Sequence, residues 1–516
     1  MNAPLVLTFD IGTQSLRALL VTPDGTFTDK EQLVYETPYY SAAPGWAEQK
    51  PGFYYENLCK ASRALLARNP DAVENIKAVT VTSIRDTVVC LDANREPLRD
   101  IILWLDARKA KFEQPYGLAK KALFSAIGMG DSIKKLYKAT PANWLMQNEP
   151  DTWAKLDKYV MLPTYINYLL TGELKDSAAN MIGHIPFDYK NRRWTGEKGL
   201  TRFVCDVPEE KLCALVDSGE TVGGITEKAS AETGIPAGLP LIASGSDKGC
   251  ETLGLSVVNE HKAAVSFGTT ATLQMAVRDY FEPQPFMPAY PAVPGDMYNP
   301  EYEVYRGFWL VSWFIKEFGA EARAEAAERG ISPEAVLDEK IKDVPAGCEG
   351  LLLQPYWTPG IANPNALGSV VGFADFHTKY HLYRAVIEGV CFELYAGLKG
   401  MEKRGKKTVS ELCVGGGGAK SDVACQNLAD IFGLPVSRTE THEACAVGTA
   451  MPAFIALGIY NGYDDAIRHM VRIKDTFTPD AGAHELYQKL YTEAYANIYP
   501  ALKNTEKNIM TIYNRR

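Results

Sequence analysis

Two short stretches of this chain, about 250 residues apart, are built alike, and that repetition restricts the fold more than any other feature. Residues 5–27 read LVLTFDIGTQSLRALLVTPDGTF: an apolar strand, a Gly-Thr turn, a second strand with Leu16, Ala18 and Leu20 on one face, then a Pro-Asp-Gly turn. The pattern predicts a β-hairpin with Asp10, Gly12 and Thr13 at its tip. Residues 263–277, AAVSFGTTATLQMAV, repeat it with Gly268, Thr269 and Thr270 in the turn. Between and after the hairpins, strand-like segments (78–82, 88–91, 101–103, 350–354, 411–415) alternate with helical ones (51–67, 141–147, 163–170, 307–318, 379–404, 421–432, 443–458). Such alternation predicts α/β architecture, and the doubled hairpin predicts two similar α/β halves rather than one continuous sheet. The boundary is expected near Leu255, giving domains 1–255 and 256–516. The stretch from about Asp475 reads as helical.

A chain of 516 residues is long enough for two to four domains at roughly 150 residues each. Its 46% hydrophobic and 23% charged residues exclude disorder as the main state. The net charge of −9, with no Lys/Arg cluster to follow a phosphate backbone, argues against nucleic acid as a partner. No apolar run reaches the ~18 residues of a membrane span, and Asp10 interrupts the early apolar stretch before the first basic residue, Arg17, so no signal peptide is expected. The ten cysteines are scattered with none in a C-x-x-C, which predicts reduced cytoplasmic thiols rather than disulfides or zinc ligands.

Three glycine-bearing turns could hold phosphates: Asp10-Ile-Gly-Thr-Gln-Ser15, Phe267-Gly-Thr-Thr270 and Val414-Gly-Gly-Gly-Gly-Ala-Lys-Ser421. Glycine lets backbone N–H groups approach an anion, and hydroxyls add donors; each turn alone is equally a tight turn. The third is not a P-loop, since Val414 and Ala419 stand where the motif needs glycine. A strand ending at Val414 and a helix from Ser421 instead suit a nucleotide base or ribose. Asp10 could hold a hydrated Mg²⁺ beside a triphosphate, or close an Asx-type turn.

Residues 241–254 read as a strand, small residues, then Asp247 at a helix start. A carboxylate fixed there can take the proton of an attacking alcohol; the plain alternative is a helix N-cap. Arg85-Asp86 and Trp104-Leu-Asp106-Ala-Arg108 follow predicted strands, where ligands gather in open α/β sheets. Arg and Asp can grip vicinal hydroxyls and Trp can lie on a sugar face; the alternative is a surface ion pair and a core Trp. His377 and His381 have metal-pair spacing without H-E-x-x-H, so a solvated helix start is expected there, and no G-x-S-x-G elbow occurs.

In this order the motifs resemble the FGGY family of carbohydrate kinases, within the actin, hexokinase and Hsp70-like ATPase superfamily, over about residues 5–475. Asp10 to Arg17 resembles the first phosphate motif, Pro44-Gly-Trp-Ala-Glu-Gln49 an early family stretch, and Gly245-Ser-Asp247 with Gly254 the catalytic segment. Phe267-Gly-Thr269 is similar to the second phosphate motif and Gly416-Gly417 with Ser421 to the adenosine motif. Residues 368–388 nearly fit the C-terminal signature, with Phe373 departing from an aliphatic position, and Pro141 stands where the family usually has Lys.

The resemblance implies two actin-like (ribonuclease H-like) domains with a cleft between them, a homodimer, and ATP with Mg²⁺ as cofactors. It implies Asp247 as general base, Arg85, Asp86 and Trp104 on the acceptor, and Asp10 at the metal. Gly12, Thr13, Ser15, Arg17, Gly268, Thr269, Gly307, Gly416, Gly417 and Ser421 are implied for the nucleotide. The expected activity is ATP-dependent phosphorylation of a hydroxyl of a small ketose or polyol, foremost a pentulose of xylulose or ribulose type. Arg85-Asp86 resembles the Arg-Glu of glycerol kinases rather than the Met-His of xylulokinases, so glycerol or a tetritol is the alternative acceptor. An actin- or Hsp70-like nucleotide switch, or a sugar-binding pseudokinase, is the alternative from another class.

Overall fold

Seven consecutive buried residues, Leu5–Ile11, form strand β1, which lies in the interior of its sheet. The computed structural model describes residues 3–126, 129–196, 199–358, 360, 363 and 365–513. In it the chain divides into two compact units.

In the first unit, β1, β2 (Ser15–Val21) and β3 (Phe27–Val34) form an antiparallel meander. Helix α1 (Phe53–Arg68) follows, and the chain returns as β4 (Ile76–Ser83), parallel to β1. After β5 (Thr221–Gly224), β6 (Pro240–Ile242) runs parallel to β4, giving the order β5-β6-β4-β1-β2-β3. Helix α2 (Asp247–Gly254) leaves the end of β6. The predicted strand at 78–82 lies within β4, the helix predicted over 51–67 begins two residues later at Phe53, and a helix over Pro141–Asn148 covers the one predicted at 141–147. Pro141 occupies the first position of that helix, where its missing N–H costs nothing, so the departure from the family lysine has a local structural use.

The second unit repeats the plan. Strands β7 (Lys262–Phe267), β8 (Ala271–Met275) and β9 (Glu301–Val304) form the meander, β10 (Glu411–Gly415) runs parallel to β7, and β11 (Val436–Thr439) runs parallel to β10. The edge strand β12 (Ile473–Phe477) closes the order β9-β8-β7-β10-β11-β12. The helical expectation for the tail is corrected at this point: residues up to Phe477 pair with β11, and helix begins at Ala481.

Long helix α3 (Lys379–Gly405) packs under this sheet. His381 completes the capping box of α3 with Thr378, so the histidine pair marks a helix start as expected. Arg384 and Glu388 pair at 2.7 Å one turn further on, and Glu388 also accepts from the Tyr487 hydroxyl at 2.6 Å. The C-terminal signature stretch thus holds scaffold together, and its deviant Phe373 is exposed.

The expected boundary needs two additions. Residues 288–299 and 444–471 group with the first unit, although both follow Leu255. Helix α5 (Ala444–Ala456), which follows α4 (Asp422–Phe432), crosses α2 at backbone contact. A Cβ on Gly254 would lie 1.8 Å from the Ala444 carbonyl oxygen, and one on Gly448 would lie 1.9 Å from that of Cys250.

Candidate active site

The parallel strands β1, β4 and β6 all end on one edge of the first unit's sheet, and the candidate acceptor residues follow those ends. Asp10 lies opposite Thr82, and Ile242 opposite Thr80. Thr82 Oγ1 donates to the Gly245 carbonyl at 2.7 Å, tying the loop after β6 to β4.

Asp10, only 6% exposed, sits across the hairpin from Arg17, which reaches its Oδ2 at 3.1 Å. The Gly12 N–H donates to Ser15 O at 2.9 Å, so it closes the turn instead of pointing outward. Thr13 Oγ1 accepts from the indole N–H of Trp104 at 3.0 Å, and Ser15 Oγ lies 3.5 Å from Gln32 Nε2. Trp104 is 39% exposed, which removes the core-Trp alternative.

The ion-pair alternative also changes character. Arg108 is buried; its Nε meets Asp106 at 2.7 Å and its NH2 meets Glu48 at 2.8 Å. Its guanidinium lies 3.9 Å from the Trp46 ring centroid and 4.7 Å from that of Trp144. Ala47 N donates to Asp106 at 2.7 Å. The Pro44–Gln49 stretch therefore braces the loop that carries Trp104, through a cation held between carboxylates and aromatic faces.

Asp247 stands one residue inside α2. The N-cap is Ser246, whose Oγ accepts from Gly249 N at 3.3 Å, and this displaces the plain N-cap alternative. Asp247 Oδ1 accepts from Lys248 N at 2.8 Å and lies 3.7 Å from Arg85 Nε. Burial raises its pKa from the ordinary carboxylate value, and the charges of Arg85 and Lys248 hold back that rise. Arg85 also lies over the Tyr290 ring at 5.5 Å.

Asp86 is committed to a residue that local sequence patterns do not point to. Its Oδ1 accepts from His184 N at 2.8 Å and its Oδ2 meets His184 Nδ1 at 2.6 Å. Pattern reading misses His184 because it lies 98 positions from Asp86.

In the second unit, Ser266 at the end of β7 is in register with Gly415 at the end of β10, so the Gly268-Thr269 turn and the glycine run adjoin. Phe308 N donates to Gly268 O at 3.0 Å and Trp309 N to Thr269 O at 3.3 Å, which closes the chain over the turn. Gly307 is pressed against Ala271 and Gly416, at φ 82°, against Phe267, whereas Gly417 faces open space. Ser421 is the N-cap of α4, accepting from Ala424 N at 3.0 Å. Burial pushes the carboxyl of Asp338, which faces Ser421, up to about 6. Asp10, Thr13, Arg85, Asp86, Trp104 and Asp247 thus lie in the first unit, with Thr13 touching Trp104 and Arg85 facing Asp247, and Gly268, Thr269, Gly307, Gly416, Gly417 and Ser421 lie in the second.

Comparison with known proteins follows the same division. The family model described as the FGGY family of carbohydrate kinases, N-terminal domain, matches residues 5–254, and its C-terminal counterpart matches residues 263–457. The chain belongs to the FGGY family of carbohydrate kinases. As an FGGY member it is an ATP-dependent sugar kinase of mixed α/β, two-domain actin-like fold, and its substrate is a small-molecule sugar. It is 27% identical over 482 residues to an uncharacterized sugar kinase of Escherichia coli (strain K12), covering 93% of this chain and 90% of that one. It is also 27% identical over 530 residues to a xylulose kinase of Staphylococcus epidermidis, covering all of both chains. The crystal structure of xylulose kinase from Rhodospirillum rubrum matches with a TM-score of 0.82 at 25% identity, covering 97% of this chain and 99% of that one. Among the described residues no helix is long and apolar enough to cross a membrane, and all ten cysteines are free thiols.

Proposed function

We propose that this FGGY kinase transfers the γ-phosphoryl group of ATP to a hydroxyl of a pentulose of xylulose type. The observation that carries the reading is the carboxylate of Asp247, held at the start of α2 and 3.7 Å from Arg85, at the end of the sheet where Asp10 also stands. A carboxylate so fixed accepts the proton of the attacking hydroxyl, and Arg85, Asp86 and Trp104 form the wall against which the sugar lies. The pentulose assignment draws support from the xylulose kinases among the relatives.

Phosphate oxygens are received by Thr13, Ser15 and Arg17, with Gly12 shaping their turn, and by Gly268 and Thr269. Gly307, Gly416, Gly417 and Ser421 receive the nucleoside. In this reading residues 1–255 carry the sugar and phosphate site and residues 256–516 the nucleotide site. Among the described residues no cluster of three metal-ligating side chains exists. The buried carboxylate of Asp10, which Arg17 also meets at 3.1 Å, fits Mg²⁺, which takes one or two carboxylates and completes its shell with water and phosphate. Asp10 would hold it, and the ion when bound neutralises charge on the phosphates. Ten free thiols favour a reducing compartment, the cytoplasm. Light scattering checks the homodimer that the resemblance implies.

The test is ADP release measured with xylulose, ribulose, hexuloses, gluconate, glycerol and erythritol. Turnover is expected to depend on added sugar and to be fastest with a pentulose. Release equally fast without sugar would favour the nucleotide switch, and preference for glycerol or erythritol would move the acceptor to a polyol. The pH profile supplies a second expectation. Asp247 works only when ionised, so kcat should fall as pH drops through its pKa, and the acid limb should lie above the ordinary carboxylate range because burial raises that pKa. Loss of this limb in Asp247→Asn would assign it.

A further inference from the structure

Asp86 and His184 are bound to each other more firmly than a chance surface pair. The peptide N–H and the ring nitrogen of His184 both engage the Asp86 carboxylate, at 2.8 and 2.6 Å, while Asp86 N donates to Ile182 O at 3.1 Å. Asp86 holds a left-handed backbone at φ 50°, and Gly183 beside it has φ 147° with no room for a Cβ, which would fall 2.4 Å from Asp86 Oδ1. Backbone held in a sparsely populated region tends to mark functional sites. The same segment reaches the proposed base: Ser246 N donates to Ala179 O at 3.2 Å. Residues 179–184 therefore join the start of α2 to the Arg85-Asp86 corner.

With Nδ1 turned to Asp86, Nε2 lies on the far side of the ring. It has no partner among the described residues, and the side chain is 25% exposed. A bracket that only joined two segments would need the peptide N–H and one side-chain donor, which an asparagine supplies. The imidazole adds a second polar atom on the far side of the ring, aimed by a fixed carboxylate that also sets the tautomer.

We propose that His184 contacts the sugar through Nε2, a specificity-determining contact of the acceptor site, and that Asp86 is the positioning residue that presents it. This rests on the acceptor site placed at Arg85, Asp86 and Asp247, and refines the part of Asp86, which acts through the imidazole. The expected partner atom is a hydroxyl or carbonyl oxygen of the sugar. Burial opposes a charge on His184, but the Asp86 carboxylate outweighs it and raises the pKa, which favours Nε2–H as a donor.

Two substitutions separate the two nitrogens. In His184→Asn the amide overlays Nδ1 and keeps the Asp86 bond but has nothing at Nε2; in His184→Gln the amide overlays Nε2. His184→Asn should raise the KM for xylulose, or for the best sugar of the panel, by about tenfold or more. The KM for ATP and the melting temperature should hardly move. His184→Gln should recover part of the loss, and calorimetric titration with the same sugar without ATP should show the same order of affinities. Asp86→Ala, which leaves nothing to hold Nδ1, should give the same sugar-specific loss, and the double variant Asp86→Ala/His184→Asn should add nothing further.

An unchanged sugar KM in His184→Asn would reduce His184 to a bracket and overturn the inference while the kinase reading stands. Sugar and ATP KM rising together with a lowered melting temperature would overturn it in favour of a structural role. Additive losses in the double variant would return the sugar contact to Asp86 itself. A wild-type enzyme with no sugar-dependent turnover on the whole panel would remove the acceptor-site reading, and the inference with it.

Discussion

Replacing Asp247 by Asn is expected to lower kcat by roughly 10² to 10⁴, the range for loss of a positioned general base. The substitution is close to isosteric, and the surrounding geometry should survive it. Ser246 supplies the helix cap, so α2 keeps its start. The Asn carbonyl can still accept from Lys248 N, as Oδ1 does. What disappears is the capacity to hold a proton and the negative charge opposite Arg85. Phosphoryl transfer passes through a loose transition state in which the acceptor proton moves late, which places the loss toward the low end of the range. Single-turnover kinetics with calorimetry of ATP binding checks the outcome, since ATP affinity should remain. A variant that phosphorylates its best sugar at near the wild-type rate would move the base elsewhere.

The second large effect is on stability. Gly254→Ala and Gly448→Ala should each lower the melting temperature sharply, because their Cβ atoms would fall within 2 Å of carbonyl oxygens on the facing helix. Neither α2 nor α5 can relieve the clash by a rotamer change, so the helices must separate. Overpacking in a filled core costs about 1–3 kcal/mol and more where backbone must shift. Gly400 in α3 is the control: a Cβ there meets nothing within 4 Å, and Gly400→Ala should gain up to about 1 kcal/mol from helix propensity. Thermal unfolding followed by fluorescence and circular dichroism separates the three variants. Wild-type melting in Gly254→Ala would mean that α2 and α5 do not touch as described. Because Asp247 starts α2, loss of this crossing should also lower kcat at temperatures well below melting.

What local pattern could determine is visible in the two hairpins. β1 and β2 follow from an apolar run, a Gly-Thr turn and alternation; β7 and β8 follow from the same signals. Asp10 and Asp247 were legible as candidates because a carboxylate after a strand, or at the start of a helix, is a local arrangement of few residues. Secondary structure is misread at the start of the tail, where tertiary pairing overrides propensity. Residues 473–477 form an edge strand because β11 offers unpaired backbone groups there, and no neighbour in sequence records that offer.

The composition of the site is another matter. Trp104 meets Thr13 across 91 positions, and His184 meets Asp86 across 98. Arg108 reads as a surface cation in sequence, yet it is buried between Trp46 and Trp144. Which serine caps α2, which residue occupies Asp86, and which unit residues 444–471 join all depend on how distant segments pack. Periodicity is a property of a few consecutive residues and fixes strand or helix locally. Partnership depends on close packing and on satisfying each buried polar group, and the chain meets those conditions only once distant segments share one interior.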